Sequence, residues 1–209
     1  MAKATVSSTS DFRHAMLETY AVNERINQLL LEHLDPAAWR AKPPGHNQRT
    51  IAAIFTHMHN IRRKWLRLTA SHLKLPAQLE RTRCTQKQAQ AALARSGVLC
   101  LEMLAEALKG DGGRIKTFRR DAWARAWSPG VAMFTYMVAH DMHHRGQVCM
   151  LAHQLGFRLP VKANYGIWQW EKLWKECGFR SALKCCCADR AARITTNDGT
   201  HTKAGYPGK

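Results

Sequence analysis

The chain has 209 residues, 45% of them hydrophobic, enough for one well-packed domain with material left over and too little for two comfortable ones. Its opening residues, 1–10, carry no apolar core of the kind a secretory signal needs, and no apolar run approaches the ~20 residues that span a bilayer, so a cytoplasmic protein without membrane segments is expected. The formal charge of +17 raises nucleic acid as a partner, but residues 180–209 hold six Lys/Arg and two Asp, which leaves +13 on the body, scattered in local clusters that solvated helix faces and loops explain.

The first predicted helix starts at about Ser10 as N-cap. It runs through Phe12, Met16, Tyr20, Ile26, Leu29 and Leu30 to Asp35-Pro36, with Asn23 on or beside its buried face. The second follows Pro43-Pro44-Gly45, where Ile51, Ile54, Phe55, Met58, Ile61 and Trp65 recur three or four residues apart, and it contains His57 and His59. A third, rich in alanine and leucine, covers Thr85 to Lys109 and stops at a glycine-rich run. Arg114 to Trp127 reads as loop.

A fourth helix opens at Ser128-Pro129 and runs to about Leu155. Beyond Pro160 a shorter helix places Trp170 and Trp174 one turn apart; these tryptophans are expected to pack against the bundle, with Trp168 or Trp170 also candidates to wall a substrate pocket. Residues 1–9 are expected to be flexible, 10–179 to form the folded unit, and the Cys-rich basic tail 180–209 to be disordered. The seven cysteines are odd in number, form no C-x-x-C pair, and include three adjacent ones, Cys185 to Cys187, which points to free thiols in a reducing compartment.

The chemistry concentrates in HDMHHRGQ, His140 to Gln147. On a 100° wheel, Met137, Val148, Leu151 and Leu155 define a buried stripe that His140 and His144 join, whereas His143 falls well off it. Two histidines four apart on one face have the spacing a helix uses to hold a metal ion. Asp141 and Gln147 flank the stripe, where either could orient a ligand imidazole.

A third ligand should come from a facing helix, and the second offers His57 or His59, with angular placement favouring His57. The competing reading is a hydrogen-bonded histidine pair without any metal. The zinc-protease pattern H-E-x-x-H is absent, because Asp follows His140.

FTYMVAHDMHHRGQVCMLAHQLGFRLP, the following YGIWQWEKLW and the second-helix run TIAAIFTHMHNIRRKWL closely resemble the signature of the DinB-like family; YAVNERINQLL in the first helix fits more loosely. The resemblance covers about residues 12 to 179. It implies an all-α four-helix bundle holding one divalent metal through three histidines, which fall on His57, His140 and His144 here.

Zinc suits such a site by donor chemistry, with nickel, iron or manganese as alternatives. The resemblance further implies a metal-dependent transferase or hydrolase acting on a small molecule, in some relatives with a low-molecular-weight thiol as partner. Asp141, His143 and Gln147 become candidates for orienting ligands or moving protons. A non-catalytic metal-stabilised binding module is the alternative, and a homodimer is left open. This chain departs from the pattern at His153, where relatives commonly carry Arg, and in its Cys-rich tail.

Overall fold

The computed structural model describes residues 7–43, 45, 48–109 and 113–179. Four long helices dominate: α1 (Ser7–His33), α2 (Ile51–Thr69), α3 (Gln86–Ala107) and α4 (Val131–Gln154). Two short ones follow, α5 (Val161–Gly166) and α6 (Trp170–Glu176), and one 3-10 turn, Ala38–Arg40, lies between α1 and α2. Among the described residues the fold is all-α; the single bridge between Phe118 and Trp127 ties the α3–α4 connection into a loop rather than a strand.

Each of α1 and α2 packs against both α3 and α4. Paired residues give the directions. Gln28 meets Gln90 while Glu24 faces Gly97, so α1 opposes α3. His59 meets Ser96 and Arg62 meets Leu93, so α2 also opposes α3. Trp65 touches Tyr136 and Arg62 touches Asp141, so α2 opposes α4. The short helices α5 and α6 lie along α1.

Local chemistry explains several boundaries. Thr50 caps α2 by accepting from the Ala53 amide at 3.2 Å, and Thr85 with Gln88 forms a reciprocal capping box at the start of α3. Other boundaries differ from the sequence expectation. Helix α1 begins at Ser7, so Ser10 lies inside the helix and residues 7–9 are part of it. At α4 the cap position is Gly130, not Ser128, and no side chain caps it. The reason is backbone conformation: Gly130 sits at φ 113°, which a residue with a side chain rarely adopts, so Ser128-Pro129 belongs to the approaching turn.

The aromatic segment after Pro160 is two short helices, broken at Ile167–Gln169. Trp168 in the break is 75% exposed. Trp170 stacks near Trp174 at 5.3 Å on the α1 face around Val22 and Ile26. Neither tryptophan lines a pocket by the histidines. Residues 1–6 and the Cys-rich tail 180–209 lie outside the described residues.

The bundle interior has two apolar ends. One gathers Leu30, Trp39, Phe55, Leu93 and Val148; the other Tyr20, Trp65, Leu104, Phe118 and Met137. Between them lies a polar layer to which all four long helices contribute: Asn23 and Asn27, His59 and Arg62, Ser96, Asp141 and His144 are all buried. A layer this polar is stable only if its groups satisfy one another, and it places the site.

Candidate metal centre

The α2–α4 contact brings His57, His140 and His144 together, each offering a ring nitrogen within 4.8 Å of the others. Ring centroids stand 4.5 Å apart for His140 and His144, 4.8 Å for His57 and His144, and 5.6 Å for His57 and His140. The helix geometry is the cause: residues 140 and 144 share one face of α4 a turn apart, and antiparallel packing sets His57 opposite them.

Each α4 histidine is backed by a neighbour. Nδ1–H of His144 donates to Oε1 of Gln147 at 2.7 Å, and the Gln147 amide nitrogen donates to Nε2 of the exposed His143 at 3.1 Å. That chain leaves the Nε2 lone pair of His144 free. His140 packs edge-on against Trp65, with ring centroids 5.0 Å apart, and its Nδ1 lies 3.7 Å from Oδ1 of Asp141. Both His140 nitrogens and that Oδ1 are buried without a hydrogen-bond partner.

Asp141 is not marginal, as its wheel position suggests, but wholly buried. Its Oδ2 accepts from Arg62 at 2.6 Å, Asn23 at 2.8 Å and Asn27 at 3.1 Å. Arg62 also reaches Glu24 at 2.6 Å, and Arg145 donates to the side-chain oxygens of Asn23 at 2.6 Å and Asn27 at 3.0 Å. Burial on its own would raise the Asp141 carboxyl, but the Arg62 guanidinium, together with His140 and Arg145, holds the group well below the usual carboxylate range. Two cations and two carboxylates thus form one set, with Arg62 and Asp141 buried and Glu24 and Arg145 partly so, which fixes the carboxylate behind His140.

Burial, followed by the mutual proximity of the rings and by Arg49 and Lys64, pushes His57 down to about 4. His144 is likewise pushed down to about 4, burial again leading, against an opposing contribution from its bond to Gln147. Both rings are therefore neutral at pH 7, with lone pairs available for a cation.

His59 is fully buried, deeper than the half-buried His57, which reverses the depth ranking drawn from the wheel. Its two nitrogens are already engaged, Nδ1 with the Ser96 hydroxyl at 3.1 Å and Nε2 with the Ala77 carbonyl at 2.9 Å. The ring pins the α2–α3 connection to the bundle and is not part of the cluster.

Sequence reasoning missed Arg62, Glu24 and Arg145. Arg62 stands in the basic run Arg62-Arg63-Lys64, one of the local clusters that a solvated helix face would explain, yet it is wholly buried. The signal was there: Phe55, Met58, Arg62 and Trp65 follow one another at helical spacing, so Arg62 interrupts a buried stripe.

A three-imidazole cluster, with His144 buried and His57 and His140 partly so, inside an all-α bundle defines the class of protein as a helical-bundle protein with a candidate metal site. The DinB family model matches residues 5–173, and the chain belongs to that family. No curated protein and no solved structure matches it.

Proposed function

We propose that the protein is a metal-dependent enzyme in which His57, His140 and His144 hold one divalent ion, zinc by preference. The observation that carries this is the pair of buried, unpartnered ring nitrogens of His140, beside the neutral imidazoles of His57 and His144, with ligand atoms within 4.8 Å. An unpartnered buried imidazole costs free energy that a cation would recover. Neutral nitrogen donors fit zinc, nickel or iron better than calcium or magnesium.

Such an ion keeps an open position and supplies Lewis acidity to a substrate group or thiol bound there. The protein supplies the remainder. Gln147 fixes the His144 tautomer, and Asp141, clamped by Arg62, Asn23 and Asn27, faces His140 Nδ1, which would leave Nε2 of His140 to hold an ion. His143 lies at the rim, exposed, where it can exchange protons with solvent through its ring.

The reaction proposed is group transfer to or from a low-molecular-weight thiol, or hydrolysis, on a small molecule. What supports it is the thiol-dependent chemistry implied by the resemblance, together with a three-ligand donor set. Free Cys84, Cys100, Cys149 and Cys177 among the described residues suit the reducing cytoplasm we propose as its compartment, and no described helix is long and apolar enough to cross a membrane.

The test is turnover of a panel of thiol conjugates and esters by zinc-loaded protein. Activity should vanish with chelator, return with metal, and be absent in His144→Ala. Metal binding without any metal-dependent turnover would favour a non-catalytic, metal-stabilised binding module.

A further inference from the structure

A hollow of about 320 Å³ opens beside His57, lined by Asn60, Arg63, Lys64, Arg67 and Gln78 among others, and no carboxylate lines it. The volume is near the lower end for small-molecule sites. Its three cations differ in how they are engaged. Arg63 donates to the Pro76 carbonyl at 2.7 Å and to Gln78 at 3.4 Å, which anchors it to the loop after α2. Lys64 is ion-paired with Asp121. Arg67 is exposed and has no hydrogen-bond or ion-pair partner among the described residues.

On the other side of the cluster a second hollow, bordered by Ile54 and Gln147, carries exposed Arg49, likewise without a partner, and again no carboxylate. Both hollows are therefore lined by cations and by no carboxylate, although Lys64 is already paired with Asp121. Solvated basic residues on a helix are ordinarily interleaved with acids that pair with them. Here, cations line a concave surface next to the three-histidine cluster.

We propose that the hollow beside His57 is the anion end of the substrate site. It takes a small organic oxyanion, a carboxylic acid or a phosphate ester, whose charged group pairs with Arg67 while the reacting end reaches the histidine cluster. Seven residues of α2 separate His57 from Lys64 and ten separate it from Arg67, which is roughly 10–15 Å along the helix axis at 1.5 Å per residue. The charged group thus lies several bonds from the reacting atom.

A guanidinium holding an oxyanion makes short, charge-assisted hydrogen bonds, and a divalent ion held by neutral ligands adds attraction for the same anion. The inference deepens the proposed function and rests on it for the direction in which the substrate lies.

The experiment is an NMR titration of the full chain, metal-free and zinc-loaded, at low salt, with succinate, inorganic phosphate and uncharged succinamide. Saturable binding of succinate or phosphate, centred on the Asn60 and Gln78 side-chain amides, is expected, with no binding of succinamide; the tighter of the two anions names the oxyanion. Arg67→Gln should weaken that binding about tenfold, the loss of roughly one charge-assisted contact. Arg83→Gln, which removes the same charge from a side chain 86% exposed at the far edge of the α2–α3 connection, should leave it unchanged. The spectrum itself reports that each variant is folded.

No saturable anion binding, equal affinity in Arg67→Gln, or equal losses in both variants would overturn the proposal. Zinc stoichiometry is measured on the same samples. Zinc binding without anion binding defeats only this inference, whereas anion binding without zinc binding defeats only the metal-centred function.

Discussion

His57 and His144 contribute to the pH dependence of the metal-free protein, as does His59, which burial also pushes down. The folded pKa values of His57 and His144, about 4, lie below the ordinary imidazole value of 6.5, so between those limits the unfolded chain binds more protons than the folded one. Stability then falls as pH falls through that window. Thermal melts of metal-free protein should show Tm declining from pH 6.5 to 4, with a shallower decline in His144→Gln, which lacks one of these groups. A Tm that rises over that range would mean the rings are not buried as neutral groups.

At this scale the sequence was legible for His140 and His144, because helical spacing alone puts them on one face. It was not legible for the depth of His57 against His59, because a wheel gives direction from one axis and not the distance to facing helices. Asp141 shows the same shortfall: its burial is set by Asn23, Asn27 and Arg62, residues distant in sequence.

Helix α3 carries no catalytic candidate, yet it shapes the polar layer through Gly97. A Cβ there would stand 2.7 Å from Cδ of Glu24, whose carboxylate is held by Arg62 at 2.6 Å. Glycine to alanine inside a helix ordinarily stabilises by about 1 kcal/mol. Gly97→Ala is expected to do the opposite, lowering the denaturation midpoint, because the clamped carboxylate cannot swing aside without breaking its pair with a buried cation. A raised midpoint would show that Glu24 is not held.

On α4, Asp141→Asn removes one of the two carboxylates that compensate Arg62 and should cost ~3–5 kcal/mol. Metal affinity should drop 10–100-fold in whatever fraction remains folded, measured by competition with a chromophoric chelator. Unchanged affinity would separate Asp141 from His140. The long helices were readable from apolar periodicity, since burying one face is what makes them helices. Their starts were less so: Gly130 caps α4 by a backbone angle that no apolar pattern encodes, and the break at Trp168 follows from docking α5 and α6 onto α1.

Across the whole molecule, the three histidines join α2 to α4, the only two elements that contribute to the cluster. An ion bound there binds the folded state alone and stabilises it by mass action, ~2.7 kcal/mol at a hundredfold excess over Kd. Zinc should therefore raise Tm by several degrees and chelator should reverse it, with no such shift in His140→Ala. The +17 charge also looks different at this scale. Arg62 and Arg145 are spent in the polar layer, and Arg25 and Lys64 are paired with acids, so the net charge overstates the basic surface that the body offers. Composition counts charges without locating them, which is why it could raise nucleic acid as a partner but not the hollow beside His57.

The most direct measurement is the metal content of purified full-length protein offered zinc and then freed of loosely bound ions. One divalent ion per chain is predicted for the wild type and for His143→Ala, and none above background for His57→Ala, His140→Ala or His144→Ala. A wild type that holds no metal, or a His57→Ala variant that keeps a full equivalent, would contradict the three-histidine centre.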